Sequence, residues 1–162
     1  MKKKVIIAVV LIVVLLVGGF LFFHFKSNNK PKEYEGKITS MKLYIDNHKE
    51  IYYHAELHHY KDRVFLDVRE KKMEKLDRRF KRRLTDKNLE TIRDVINENK
   101  IYEWDGFNKG DKDNLKGQES FTLEITFSDK RTLKVYGYGK YPEKYTERKK
   151  ALRDCIEKLI RI

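Results

Sequence analysis

The sequence contains a single cysteine, Cys155, among 162 residues. One cysteine cannot form an intramolecular disulfide, so apolar packing must hold the folded part together. Cys155 lies among regularly spaced apolar residues near the C-terminus, and no histidine is placed beside it to activate a thiol. The pattern therefore indicates a small core residue rather than a nucleophile.

The sequence also lacks the motifs of the common enzyme classes. It has no nucleophile elbow, P-loop, dinucleotide-binding glycine pattern or zinc-protease motif. Nothing in the sequence gives Ser40, Ser120 or Ser128 a neighbour that would activate a hydroxyl. We therefore expect no catalytic residue, no cofactor and no enzymatic activity.

Two groups of polar residues contain possible metal ligands, but neither has the spacing of a metal-binding site. Four histidines fall within twelve positions: His48, His54, His58 and His59. On a strand, His54 and His58 would share a face but lie about 13 Å apart, so a metal site would need a neighbouring residue such as Asp67. The polar loop at 105–119 has several acids and asparagines but not the EF-hand spacing, and interleaved lysines oppose a cation. We expect no metal site.

The longest segment without charge is 5–25, in which His24 is the only polar side chain. Its 21 residues would form a helix of about 31 Å, which matches a hydrocarbon core of about 30 Å. The segment is longer than the apolar part of a signal peptide and ends in large residues instead of a cleavage site. It also lacks the polar stripe of a buried core helix. The sequence therefore predicts a basic N-terminus at 1–4, a transmembrane anchor at 5–25, a linker at 26–32 and one domain at 33–162.

Lysines flank the predicted anchor on both sides, so the positive-inside rule gives only a slight preference for a cytoplasmic N-terminus. A short basic start, an apolar run and a long C-terminal domain are the arrangement of a signal-anchor, which exports the domain attached to it. We therefore expect the domain to lie outside the cell, attached to the cell membrane by a single pass.

The basic excess of the domain is local. The chain carries a net charge of +12, the domain from Glu33 onward carries +6, and segment 69–83 alone carries +6. A concentrated patch attracts anions, and guanidinium groups suit phosphate because each can bind two oxygens. The candidate anion-binding residues are Arg78, Arg79, Arg82 and Arg83. The alternative interpretation is a solvated, charged face without a ligand.

Alternation of apolar and polar residues predicts three strands before this basic segment, at 41–45, 51–57 and 64–68. Thr85 is a suitable N-cap for a helix at 86–99. A polar loop comes next, then a hairpin whose strands are 121–127 and 133–135, and then a helix that starts near Pro142. The predicted fold class is α+β, with one antiparallel sheet in the order β-β-β-α-β-β-α and the helices on one side.

The basic segment itself admits two structures. Met73, Leu76, Phe80 and Leu84 have the spacing of one helix face. The competing prediction is a short helix to about Asp77 followed by an edge strand at 79–84, since edge strands often carry positive charge. Periodicity alone leaves both open.

A series of turn and packing residues runs through the second half of the chain: Trp104, Gly106, Phe107, Gly117, Phe121, Leu123, Phe127, Asp129, Gly137 and Pro142. With these residues, the stretch from about Thr85 onward resembles an uncharacterised family of exported, membrane-attached domains of Gram-positive bacteria. Members are often lipoproteins and pair a W-x-G-F segment with an F-x-L hairpin and a closing helix. The resemblance implies an exported domain and no particular activity. The chain departs from the lipoprotein members in having an apolar run and no lipidated cysteine.

The leading hypothesis is a binding module whose basic patch at 69–83 contacts an anionic lipid or a wall polymer. The second is a structural or regulatory subunit that associates with another membrane protein through Gly18–Gly19 or a sheet edge. Nucleic acid matches the charge but not an extracytoplasmic location. Salt-sensitive binding would favour the first hypothesis, and an association that survives high salt the second.

Overall fold

The computed structural model describes residues 32–47, 51–72, 76–110 and 118–161. Residues 33 to 162 belong to one compact unit, separate from the N-terminal 32 residues. The predicted basic N-terminus, the anchor at 5–25 and all but the last residue of the linker lie outside the described residues. Within the described part of the chain, no helix is both long and apolar enough to cross a bilayer.

The described residues form one mixed sheet of seven strands, covered by two helices. The strands are β1 (Ile38–Asp46), β2 (Ile51–Tyr60), β3 (Arg63–Lys72), β4 (Leu76–Leu84), β5 (Asn108–Gly110), β6 (Ser120–Phe127) and β7 (Thr132–Tyr138). The helices are α1 (Asp86–Glu98) and α2 (Tyr145–Arg161), and a 3₁₀ turn spans Ile101–Trp104. The spatial order is β4-β3-β2-β1-β6-β7-β5. Neighbouring strands are antiparallel except β5 and β7, which are parallel.

One face of the sheet is buried, and the register explains why. Leu43 on β1 lies opposite Ala55 on β2 and Leu123 on β6, and none of the three is exposed to solvent. Because side chains alternate along a strand, a register that aligns these positions brings every apolar face to the same side. Both helices contribute to this core, through Ile92 of α1 and Ile156 of α2 among others. We call this side the helix face and the opposite side the open face.

The start of α1 is fixed by a reciprocal cap. Asn88 donates its backbone N–H to Thr85 Oγ1 at 3.3 Å, and Thr85 donates its own to Asn88 Oδ1 at 2.9 Å. The two bonds satisfy donors that the first turn of a helix leaves unpaired. They also end β4 at Leu84 and turn the chain onto the helix face.

The predicted fold class is wrong. The domain is mostly sheet, with seven strands in a mixed sheet and two helices, where an antiparallel five-strand α+β arrangement was expected. The predicted strands and helices at the positions with clear alternation or helical spacing are present. The order β-β-β-α-β-β-α omitted β4, whose segment had been left open between a helix and an edge strand, and β5, which was not predicted. Neither of the added strands has an alternating apolar face that a sequence pattern would reveal.

The basic segment forms the edge strand β4 from Leu76 onward. Leu76, Phe80 and Leu84 are four residues apart, and this spacing places residues on one side of a strand as well as near one face of a helix. Phe80 is 37% exposed, so the apolar spacing did not mark a buried helix stripe. Of the two structures that the sequence left open, residues 79–84 adopt the edge strand, and no helix is present within residues 76–84.

Strand β5 arises from backbone geometry at the W-x-G-F segment. Gly106 has a φ of +76°, which glycine adopts at no steric cost, and its N–H donates to Lys134 O at 3.0 Å. Tyr136 then donates its N–H to Phe107 O at 2.8 Å, and the pairing continues in parallel along β7. All three residues of β5 are exposed, so hydrophobicity carries no signal for it.

Candidate functional site

The candidate site is the basic edge, which we define as residues 77–83 of β4. It carries five basic residues and one acid, Asp77. All of its side chains are exposed except Arg82, which is half-buried. No described strand lies beyond β4, so these charges stand along an outer margin of the sheet.

Strand alternation divides the four candidate arginines between the two faces. Arg79 and Arg83 lie on the open face, opposite Arg69 and Phe65 of β3. Arg78 and Arg82 lie on the other side, in line with the buried face of the sheet. The structure therefore brings all four to one edge but not to one surface. Lys81, which was not among the predicted residues, joins the open-face pair.

Arg79 is held in place by a buried carboxylate. Its Nη2 donates to Asp67 Oδ2 at 2.6 Å and its Nε to Asp67 Oδ1 at 3.3 Å. The Asp67 side chain is only 8% exposed, whereas that of Arg79 is 59% exposed. The hydrogen bond from Arg79, with the nearby positive charges of Arg79 and Arg69, keeps the pKa of Asp67 below its ordinary value despite burial. The guanidinium group is thereby oriented, while more than half of the Arg79 side-chain surface stays exposed.

Beside this pair, the open face has a shallow hollow of about 470 Å³. Lys81 Nζ lies 5.2 Å from the centre of the Phe65 ring, a cation–π distance that leaves the ammonium at the surface. The other lining residues are His58, His59, Tyr60, Asp67 and Arg79. The hollow thus combines exposed cations and aromatic rings with one acid whose charge is already paired.

Most of the positive charge of the basic edge has no acidic partner among the described residues. The ion pair between Arg79 and Asp67 is the one that β4 makes there. Arg78, Lys81, Arg82 and Arg83 have no carboxylate within 4.0 Å in that part of the chain. Four neighbouring cations without counter-charge produce a local positive potential that an anion would relieve.

The histidines of β2 meet on the open face around one carboxylate. Glu56 Oε2 lies 3.4 Å from His54 Nε2 and 3.8 Å from His58 Nε2. Burial is the main cause that lowers the pKa of His54, which favours the neutral form of its ring. Asp67, the predicted partner for a metal, is engaged by Arg79 instead. Within the described residues, no cluster has the arrangement of a metal site, and His48 lies outside them.

Asp105 and Cys155, which the sequence analysis considered as possible site residues, contribute to the fold. Asp105 Oδ1 accepts the Lys134 N–H at 3.0 Å, while residues 111–117 of the loop lie outside the described residues. Cys155 is buried at 7% exposure, and burial raises the pKa of its thiol to about 11. A thiol with that pKa is protonated at neutral pH, so it is a poor nucleophile.

Sequence reasoning missed the structural role of Asp67. The alternation in β3 places Asp67 on the solvent side with Phe65 and Arg69, where a buried acid is not expected. Its burial depends on Arg79, twelve residues further along the chain. The signal that would have found it is the β3–β4 register, which no local pattern provides.

Comparison with known proteins identifies no relative. No family model matches the chain, and neither a curated protein nor a solved structure matches it. The resemblance to exported domains of Gram-positive bacteria stays a prediction.

Proposed function

We propose that this chain is a membrane-tethered binding module, exposed outside the cell, whose basic edge contacts an anionic partner close to the membrane. The tether and the location rest on the apolar segment 5–25 and the domain attached to it. The observation that carries the binding proposal is the run of four cations on β4 without an acidic partner among the described residues.

Anionic lipid headgroups and wall-associated phosphate polymers both supply the matching charge. Each basic residue close to an anionic membrane surface contributes about 1 kcal/mol, so the two cations of one face that lack an acidic partner among the described residues contribute about 2 kcal/mol when that face meets the surface. Screening by salt should weaken such binding strongly, because the contributing groups are exposed.

The test uses the full chain in discs of neutral lipid, with anionic vesicles and polyphosphate as probes. The variant replaces Arg78, Lys81, Arg82 and Arg83 by glutamate and keeps Arg79, because Asp67 requires it. The control replaces four exposed lysines elsewhere, Lys87, Lys109, Lys140 and Lys158, by glutamate, which changes the net charge equally. We expect the first variant to lose binding and the second to keep most of it. Equal losses would mean that net charge, not the basic edge, drives binding.

The predicted location has its own test. Protease added to intact cells should remove the domain and leave the segment at 5–25 in the membrane. Full protection of the domain would contradict the extracytoplasmic placement.

Association with another membrane protein is a second candidate function. It is favoured by the position of β4, which is a long outer strand of the sheet and exposes Phe80. Co-purification that survives high salt would support this candidate over purely electrostatic binding.

A further inference from the structure

Among the described residues, the outer side of β4 is a strand edge without a pairing partner. β4 pairs with β3 over its whole length of nine residues, and no described element lies on its other side. Every second residue of such an edge directs its backbone N–H and C=O outward. Phosphate oxygens accept hydrogen bonds from the N–H groups of the edge but donate none to its carbonyl groups. A polypeptide strand satisfies both kinds of group.

The distribution of charge on β4 also fits a strand better than a flat surface. Lys81 and Arg83 lie on the open face, and Arg78 and Arg82 on the helix face. A planar surface such as a bilayer meets one of these faces at a time. A strand added beside β4 places its own side chains on both faces, directly opposite the cations.

Phe80 adds an apolar feature to the same edge. It lies between Arg78 and Arg82 on the helix face and is 37% exposed. A partner residue opposite Phe80 would bury that surface, and its neighbours would meet the two arginines. The matching segment therefore has an apolar residue flanked by acids.

A second copy of the chain does not fit the edge. Antiparallel pairing of two β4 strands would bring basic residues opposite basic residues, and like charges directly opposite one another are destabilising. Positive charge on an edge strand is a recognised means of preventing such self-association. The positive charge of the basic edge thus disfavours pairing with a second β4 strand and favours pairing with an acidic strand.

We propose that β4 receives an extended acidic segment of a partner protein, which adds to the sheet as a further antiparallel or parallel strand. This inference rests on the proposed function, because it uses the same basic edge, and it specifies the chemical class of the partner. Main-chain hydrogen bonds supply affinity in this mode of recognition, and side chains supply the selection.

The test measures binding of labelled peptides to the full chain in discs of neutral lipid. The probe peptide has the length of β4, with a central valine flanked by glutamates. The matched control peptide has the same sequence but carries N-methyl groups at alternate residues, so its charge is unchanged and its pairing edge is blocked. We expect N-methylation to weaken binding at least about tenfold. Equal affinity for the two peptides would overturn strand addition.

Variants of the two faces give a second measurement. Arg78→Glu with Arg82→Glu changes one face, and Lys81→Glu with Arg83→Glu changes the other. We expect each pair to weaken peptide binding by about tenfold, because an added strand meets both faces. The control pair, Lys87→Glu with Lys140→Glu, should have little effect. Loss of binding in only one face pair would contradict the proposal.

Binding of the same chain to anionic vesicles and to polyphosphate is then measured. Salt-sensitive binding of these probes, together with equal affinity for the two peptides, would leave the proposed function standing and reject strand addition. If vesicles, polymer and peptides all failed to bind, both proposals would be wrong.

Discussion

The hydroxyl group of Tyr53 provides a sharp test of the packing between the sheet and α2. Tyr53 lies on the helix face of β2 and is 1% exposed, and its hydroxyl has no hydrogen-bond partner among the described residues. The guanidinium of Arg153 lies over its ring, with Cζ 4.6 Å from the ring centre. Phenylalanine would keep the ring and this contact and remove only the hydroxyl. Tyr53→Phe should therefore stabilise the domain.

The magnitude follows from the cost of burying an unpaired polar group. Mutational data place that cost at about 1–3 kcal/mol for a hydroxyl. We expect Tyr53→Phe to raise the free energy of unfolding by about 1 kcal/mol, the lower end, because nearby groups can relax. For a domain of this size, that corresponds to a rise in melting temperature of about 4 °C.

Tyr34→Phe is the matched control. Tyr34 is also buried, at 5% exposure, and its ring stacks on Phe127, but its hydroxyl donates to Thr132 O at 3.2 Å. The same chemical change there should lower the free energy of unfolding by about 1 kcal/mol, because it leaves that hydrogen bond unmade. The two substitutions are chemically identical and should have opposite signs.

Urea unfolding followed by the fluorescence of Trp104 measures both variants. Trp104 is the only tryptophan and is 2% exposed, so its emission reports loss of the core. If Tyr53→Phe destabilised the domain as much as Tyr34→Phe, the Tyr53 hydroxyl would have a favourable partner, and the reasoning would be refuted.

Two further predictions concern titratable groups. Because burial raises the pKa of the Cys155 thiol to about 11, alkylation at neutral pH should be slow in the folded chain and fast in urea; rapid labelling of the folded chain would contradict this. Asp67 has a depressed pKa, so its stabilising effect should be complete above the ordinary carboxyl value near 4 and should be lost as pH falls through the lower folded value. The difference in stability between the native chain and Asp67→Asn should accordingly shrink in acid, and a difference that grows in acid would show the sign to be wrong.

Those parts of the fold that bury one face could be predicted from the sequence. In β1, β2 and β6, apolar residues alternate with polar ones because the helix face is buried and the open face contacts solvent. The cap at Thr85 and the apolar stripe of α1 likewise express local chemistry that acts within a few residues. Such signals are readable because each depends only on neighbours in the chain.

The fold class and the geometry of the site could not be predicted in the same way. β5 has no buried residue, and its pairing depends on where Gly106 directs the backbone relative to β7. The charge of β4 could be located from the sequence, but its division between two faces requires the strand assignment. The burial of Asp67 requires in addition the register with Arg79. These properties are set by contacts between distant residues.

The cross-strand neighbours of charged residues differ between the centre of the sheet and its edge. At the centre of the open face, Lys42 lies opposite Glu56 on one neighbour and Glu124 on the other, and Glu124 in turn lies opposite Lys134. Nearer the edge, like charges also lie opposite one another: Glu56 faces Asp67, and Arg69 faces Arg79. Within the sheet that the structure describes, a residue of β4 has a strand neighbour on one side only. Its cations therefore lack the second cross-strand partner that interior charges have, and an acidic strand beside β4 would supply it. An acidic strand that extends the sheet would meet the cations on both faces of β4, whereas a partner that covers one face would meet only two of the four.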